Sequence, residues 1–218
     1  MHVHLPKPLH GWRAFAGEVG IIVVGVLIAL AAEQVVDEWR WHQKTDVIRK
    51  SLMGELGNDR ARWDADLAAA KCALQQIDRV DWWARSGANG AIEGAPLMRS
   101  SQLWTMHTTN WTLAASSQTL DHFPIDEQLA YAALYAGIGN RQVSIGQASD
   151  TIDRLHTLIP LASDPQARLQ LREMLGDLRN QLGSLVENEG YMQRHFDALG
   201  VKADRSDFAA DDRGSCTP

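Results

Sequence analysis

Cysteine is scarce in this chain: its 218 residues include only Cys72 and Cys216. Two cysteines cannot form a zinc site alone, and their spacing matches no metal-binding motif. In an oxidising compartment they could pair and fasten the C-terminal end to the first long helix. In a reducing compartment they would remain two free thiols, and the sequence leaves both possibilities open.

The chain also lacks a basic surface. Of 21 basic and 27 acidic residues, two of each precede residue 37, which leaves 19 basic against 25 acidic in the rest. Neutralisation of phosphates by Lys and Arg supplies most of the affinity for nucleic acid. The acidic balance therefore excludes nucleic acid as an expected partner.

Motifs of catalysis and cofactor binding are missing as well. Gly137-Ile138-Gly139 lies inside a helical pattern, whereas a phosphate-binding loop follows a strand. Ser116-Ser117 lacks the flanking glycines of a nucleophile elbow, and no His-Glu-x-x-His occurs. We therefore predict a protein that is not an enzyme and that holds no cofactor or metal.

One polar and aromatic cluster stands out in the second half of the chain. It comprises His107, Asn110, Trp111 and the Asp121-His122 pair. If a ligand pocket exists, we expect it here. The alternative is a helix–turn–helix corner whose polar groups bond to one another.

The longest apolar run is VGIIVVGVLIALAA, residues 19–32, which contains no charge. One interpretation is a cleaved secretory signal, with Lys7 and Arg13 before it and Ala29-Leu30-Ala31 as the cleavage site. The other is a retained transmembrane helix over residues 14–36, about 34 Å long at the helical rise. We favour retention, because the pattern continues beyond residue 32 in helical register.

One face of this predicted membrane helix carries Glu18, Gly25, Ala29 and Ala32. Small residues four apart let two membrane helices approach closely, so the face predicts helix–helix association. The alternative is that Gly and Ala are simply common in membrane helices. The expected partners are the lipid bilayer and either further copies of this chain or other membrane proteins.

Orientation depends on the charges that flank the helix. The N-terminal tail, residues 1–13, has Lys7 and Arg13 and no acid, which suits the cytoplasmic side, but a second group of basic residues follows the helix between residues 40 and 50. We predict a bacterial inner-membrane protein whose C-terminal domain is periplasmic.

The anchor pattern Gly17-Glu18-Val19, Gly25, Ile28-Ala29-Leu30 and Trp39 resembles a bacterial family known only as a domain of unknown function. The stretch 103–135 is similar to the middle region of that family. The chain departs from it at residues 31–34, where the family has Gln and Asn. The resemblance implies a membrane-anchored helical protein and brings no known activity.

After the anchor, the spacing of apolar residues predicts helices and no strands. The predicted elements are a helix over 33–85, a loop over 86–99, a helix from Ser100 or Ser101 to Ala115, a turn at 116–124, a helix to Ile159, and a last helix from Ser163-Asp164-Pro165 to Leu199. The predicted core residues of the first helix are Ile48, Leu52, Leu56, Trp63, Leu67, Leu74 and Ile77, and four further tryptophans, Trp82, Trp83, Trp104 and Trp111, are also expected inside.

The predicted fold is all-α: one N-terminal transmembrane helix followed by an antiparallel helical bundle with a long first helix. The domains are the tail 1–13, the anchor 14–36, the bundle 37–199 and a flexible C-terminal tail 200–218. The first functional hypothesis is a non-enzymatic assembly or partner-binding module that self-associates. The alternatives are an accessory subunit of a larger membrane complex and a membrane-tethered ligand sensor or enzyme with its site near residues 107–122.

Overall fold

The computed structural model describes residues 11–87, 97, 99 and 103–206, apart from the side chains of residues 13 and 14. Every regular element in these ranges is helical, which confirms the all-α class. The helices are α1 (Gly11–Arg85), α2 (Thr109–Ser116), α3 (Ile125–Leu158), α4 (Pro165–Glu187) and α5 (Glu189–Ala198), with short 3-10 turns at Leu120–His122 and Ile159–Leu161. Most of the predicted 86–99 loop, both Ser cap candidates and residues 207–218 lie outside the described residues.

The chain divides into two compact units, Met1–Val47 and Ile48–Pro218. In the first unit α1 contains an apolar window that is long and hydrophobic enough to cross a membrane, and none of this window is buried. A secretory signal helix would meet the same criterion of length and composition. α1 is the only helix of this kind in the described part of the chain.

The second unit has two hydrophobic clusters, to both of which α1, α3 and the helices after α3 contribute. One contains the fully buried Ile77, Ile152 and Leu178, and the other contains Leu56 and Phe196. The predicted core face of α1 is confirmed at Leu52, Leu56, Trp63, Leu67 and Ile77, which are buried, whereas Ile48 and Leu74 are half-buried.

Polar contacts join this part of α1 to the later helices. In the pairs between α1 and α3, the residue numbers rise together along both helices. In the pairs of α1 with α4 and with α5, the residue numbers rise along α1 as they fall along the other helix. The pairs are Arg49–Glu127, Glu55–Tyr135 and Asp66–Arg141 with α3, Asp78–Arg179 and Asp81–Arg172 with α4, and Arg60–Asp197 and Lys71–Glu189 with α5. α1 and α3 therefore run in the same direction where they touch.

Several predicted helix ends are confirmed. The Asp164 carboxylate accepts a hydrogen bond from the Ala167 N–H at 2.8 Å and caps α4, whose first residue is Pro165. Gly200, at a φ of 66°, follows α5, and the N–H of the buried Val201 donates back to Phe196 O at 3.0 Å. This pattern is the Schellman ending, for which glycine is the favoured residue.

The beginning of the predicted flexible tail is attached to α1. Val201 is buried, and its carbonyl accepts a hydrogen bond from Arg60 at 2.5 Å. The Asp204 N–H donates to Gly57 O at 2.8 Å.

Three local predictions are wrong. The helix expected to begin at residue 100 or 101 begins at Thr109, because backbone N–H groups in the preceding segment donate to side chains of α1. The last helix is two helices, since Asn188 ends α4 with its side-chain amide donating to Ser184 O at 2.7 Å. Trp82 is 72% exposed and is not part of the core.

Candidate functional site

Three acidic side chains on α1 bind the segment of residues 103–108 and the start of α2. We call residues 103–108 the returning segment, because this segment runs back along α1. We call Glu55, Asp59 and Asp66 the carboxylate row; their spacing of four and seven residues places them on one helical face. The carboxylates accept hydrogen bonds from three backbone N–H groups spaced three residues apart, two in the segment and one at the start of α2: Trp104 to Asp66 at 2.7 Å, His107 to Asp59 at 2.9 Å and Asn110 to Glu55 at 2.9 Å.

Two members of the carboxylate row are fully buried. Asp59 and Asp66 are each 0% exposed. Burial raises the pKa of Asp59 to about 6 and the pKa of Asp66 to about 7, against the lowering effect of the backbone donors and the nearby guanidinium groups. Asp66 is therefore a carboxyl group that takes up a proton close to neutral pH.

Two arginines provide the opposite charge. Arg62 lies 3.2 Å from the Asp59 carboxylate, and Arg141 of α3 lies 3.7 Å from Asp66. The guanidinium carbon of Arg141 also stands 4.3 Å from the centroid of the Trp63 ring, a cation–π contact. Burial lowers the pKa of Arg141 to about 10, so this buried side chain remains positively charged at neutral pH.

The structure brings two of the four predicted pocket residues, His107 and Asn110, to α1 and a third, Trp111, to α3. The Nδ1 atom of His107 meets the guanidinium of Arg62. The Asn110 side-chain amide donates to Ser51 O at 3.2 Å. The Trp111 ring stacks on Tyr135 with 5.0 Å between centroids and 10° between planes. His122 is an exposed residue of the first 3-10 turn.

Neither of the two cavities described here is lined by these four residues. One has a volume of about 210 Å³ and lies against Trp63 and Arg141. The other, of about 370 Å³, lies between Leu103 of the returning segment and Ile145 of α3. The polar atoms of His107 and Asn110 serve to attach the segment to α1, and a ligand role for the four residues stays a prediction.

Asp66 and Arg141 were not among the predicted site residues, although the sequence contains a signal for the first. Asp59 and Asp66 fall on the same face of α1 as Leu52, Leu56 and Trp63, where an apolar residue is expected. A carboxylate in such a row indicates a buried, partnered acid. Arg141 has no comparable signal, since its partner comes from another helix.

The predicted interface residues of the anchor, Glu18, Gly25, Ala29 and Ala32, are all exposed along α1. A Cβ atom built on Gly25 would have no neighbour within 4 Å. The face is therefore uncovered in the single chain.

No group of three or more His, Cys, Asp or Glu side chains that could hold a metal occurs among the described residues. Cys72 is a disulfide-bonded residue. Its predicted partner, Cys216, lies outside the described residues, so the pairing stays a prediction.

No family model matches this chain, and neither a curated protein nor a solved structure matches it. The resemblance of the anchor to a family of unknown function therefore stays a prediction.

Proposed function

We propose that this chain is a single-pass membrane protein whose N-terminal helix is retained as an anchor. Its helical unit serves as a non-enzymatic assembly or partner-binding module, and the chain self-associates through the anchor face of Glu18, Gly25, Ala29 and Ala32. In this proposal the membrane is the bacterial inner membrane and the helical unit is periplasmic.

The observation that carries the proposal is the exposed apolar helix. Eight side chains between residues 21 and 30 are each at least 50% exposed: Ile21, Ile22, Val23, Val24, Val26, Leu27, Ile28 and Leu30. Leaving such side chains in water forgoes about 1.5–3 kcal/mol each, on the order of 10 kcal/mol or more in total. A typical domain has only about 5–15 kcal/mol of net stability, so this surface needs lipid or another apolar partner. The helical backbone is already hydrogen-bonded internally, as a bilayer requires.

We infer that the helical unit is the predicted antiparallel bundle with a long first helix. α4 and α5 run opposite to α1 and α3, which is supported by the order of the ion pairs between the helices. The segment between α1 and α3 returns along α1, so α3 begins beside the part of α1 near Arg49, where α1 enters this unit. Such a unit offers several helix faces to a partner.

Retention of the anchor is tested by the intact mass of the protein purified from membranes. The proposal expects a mass that includes residues 1–32. A mass that corresponds to a chain beginning after Ala31 or Ala32 would establish the cleaved-signal alternative and would contradict the retained anchor.

Self-association is tested with Gly25→Leu, which places a large side chain on the proposed contact face. Gly20→Leu is the matched control, because Gly20 lies about 140° around the helix from Gly25. Native mass spectrometry in mild detergent is expected to show an oligomer for the wild type and for Gly20→Leu, and a loss of oligomer for Gly25→Leu. Equal oligomer fractions in both variants would contradict the proposed face. A monomer that co-purifies with a stoichiometric second protein would favour the accessory-subunit alternative.

A further inference from the structure

The outward side of α3 is apolar along most of its length. The side that α3 buries runs from Tyr131 to Leu155 at helical spacing, and the residues opposite to it are exposed, apart from the half-buried Gly139. Among these outward residues, Ile125, Leu129 and Val143 are 64%, 62% and 62% exposed. We call the whole outward row the α3 face; it consists of Ile125, Leu129, Ala132, Ala136, Gly139, Val143 and Gly146.

The α3 face also lacks charge. From Gln128 to Ser149 the one charged residue is Arg141, which is buried on the other side of the helix, whereas 22% of the whole chain is charged. The same outward side becomes polar only beyond residue 146, at Asp150 and Thr157. A helix whose outer side stays in water normally carries polar residues there, and a helix that is apolar on both sides is normally covered on both. The α3 face is therefore expected to have a partner.

The sizes of the side chains indicate how closely that partner approaches. Ala132, Ala136 and Gly139 lie in the middle of the α3 face, with Leu129 before them and Val143 after them. A Cβ at Gly139 would have no neighbour within 4 Å, so the single chain does not require glycine there, although glycine in a helix costs about 1 kcal/mol relative to alanine. Small residues in the middle let a second helix come close, and larger ones fill the space where two crossing helices diverge.

The absence of charge favours a second copy of this chain as the partner. In a two-fold symmetric contact the same patch meets itself, so a charge near the axis would face an identical charge. The α3 face has no such charge between Gln128 and Ser149. The row is about 32 Å long and about 10 Å wide, which is smaller than the roughly 800 Å² per partner of a standard interface. A contact of this size is weak between free molecules, and tethering both copies in one membrane raises their effective concentration.

We propose that two copies of this chain pack their α3 helices against each other through the α3 face, with the two helices crossing near Ala136. This contact lies in the helical unit and is separate from the anchor face. It rests on the proposed function only for the membrane anchor, which brings the two copies together in one bilayer.

The contact is tested by cysteine cross-linking of the full chain in membranes with a short bis-maleimide. Ala136→Cys places a thiol at the proposed crossing. Thr157→Cys is the matched control, because Thr157 is exposed on the same side of α3 but lies about 32 Å further along the helix. The wild type gives the background from Cys72 and Cys216. We expect Ala136→Cys to shift to twice the mass of the chain, whereas the wild type and Thr157→Cys stay at the mass of a single chain.

A charge added to the α3 face should weaken the contact. Val143→Glu introduces one at an exposed position, so the core of the helical unit is left intact. In the Ala136→Cys chain, Val143→Glu is expected to lower the yield of the dimer band about tenfold or more, because like charges then face each other. Thr157→Glu in the same chain is expected to leave the yield unchanged. Circular dichroism checks that each variant keeps its helical content.

Three results would overturn the proposal: no dimer band from Ala136→Cys, a band of equal strength from Thr157→Cys, or a dimer yield that Val143→Glu leaves unchanged. A cross-linked band of another mass would show that a different protein covers the α3 face and would overturn the assignment to a second copy. The anchor face is judged separately, by native mass spectrometry of Gly25→Leu. An oligomer that depends on Gly25 without a cross-link at Ala136 would contradict the α3 contact alone.

Discussion

At the scale of single residues, the second unit is distinguished by acids and an arginine in its interior. Asp59 and Asp66 occupy positions of α1 where the apolar pattern calls for Leu or Val, and both are completely buried. Their backbone donors and the two arginines offset part of the cost of burial, which would otherwise be several kcal/mol per charge. The part of the burial cost that is not offset appears as a raised pKa of each carboxyl group.

The raised pKa values give the unit a defined response to pH. Both carboxyl groups bind a proton more tightly in the folded chain than in the unfolded chain, where the pKa is near 3.8. The stability that this protonation contributes is fully present below about pH 4 and is lost as the pH rises through about 6 for Asp59 and about 7 for Asp66. The free energy of unfolding should therefore fall with rising pH in this window.

Asp66→Asn tests this assignment, because asparagine retains an acceptor for the Trp104 N–H and cannot titrate. Between pH 4 and 7 the wild type should lose on the order of 3 kcal/mol more stability than Asp66→Asn does. Chemical denaturation in mild detergent, followed by circular dichroism at several pH values, measures both slopes. Asp150→Asn, at an exposed position of α3, should keep the wild-type slope. An unchanged slope in Asp66→Asn would contradict the assignment.

At the scale of elements, the sequence predicted helices well where the information is local. Helix starts and stops are set by residues within one or two turns of the helix end, as at Asp164-Pro165 and Gly200. The long first helix is likewise indicated by the absence of proline from residues 33 to 85. The prediction failed at residues 103–108, whose backbone donors bind acids about 40 to 50 residues away in sequence. A contact between residues so far apart in sequence leaves no local pattern. The helical spacing of apolar residues in this segment therefore predicted a helix that does not form.

Two glycines inside α1 offer a matched test of how the chain after α5 packs. A Cβ at Gly54 would have no neighbour within 4 Å, whereas a Cβ at Gly57 would stand 3.1 Å from Lys202 O and 3.2 Å from Asp204 Cβ. Gly54→Ala should raise the free energy of unfolding by about 0.5–1 kcal/mol, the gain of alanine over glycine in a helix. Gly57→Ala should gain clearly less or lose stability, because residues 202–204 must move.

The measurement is the same denaturation experiment on the two alanine variants. A difference in favour of Gly54→Ala would support the attachment of residues 201–204 to α1. Equal stabilisation by the two substitutions would show that these residues are not held against Gly57 in solution.

At the scale of the whole molecule, the sequence predicted the exposed apolar helix and the all-α class but not the candidate site. The apolar run and its flanking charges are contiguous, so they could be read directly from residues 14–36. The cavity at Arg141 requires α1, α3, α4 and α5 to meet, and its lining residues are spread from Trp63 to Met192. Periodicity assigns each of these residues a face of its own helix and cannot say which faces come together.

The proposed placement of the helical unit outside the cytoplasm leads to a prediction about the two cysteines. Cys72 is disulfide-bonded in the structure, and Cys216 is the other cysteine in the sequence. Protein disulfides persist in the periplasm and are rare in the reducing cytosol. A chain isolated from membranes without reductant and then denatured should therefore react with no maleimide-polyethylene glycol.

After reduction, the wild type should add two of these labels and shift accordingly on a gel. Cys216→Ser should add one label without reduction, since it leaves the Cys72 thiol without its predicted partner. If both wild-type cysteines react at once without reductant, the pairing is wrong. The periplasmic assignment itself is tested by adding protease to intact and to lysed spheroplasts. The membrane shields a cytoplasmic unit from the protease but does not shield a periplasmic one. A helical unit that is cut only in lysed spheroplasts would therefore contradict the periplasmic assignment.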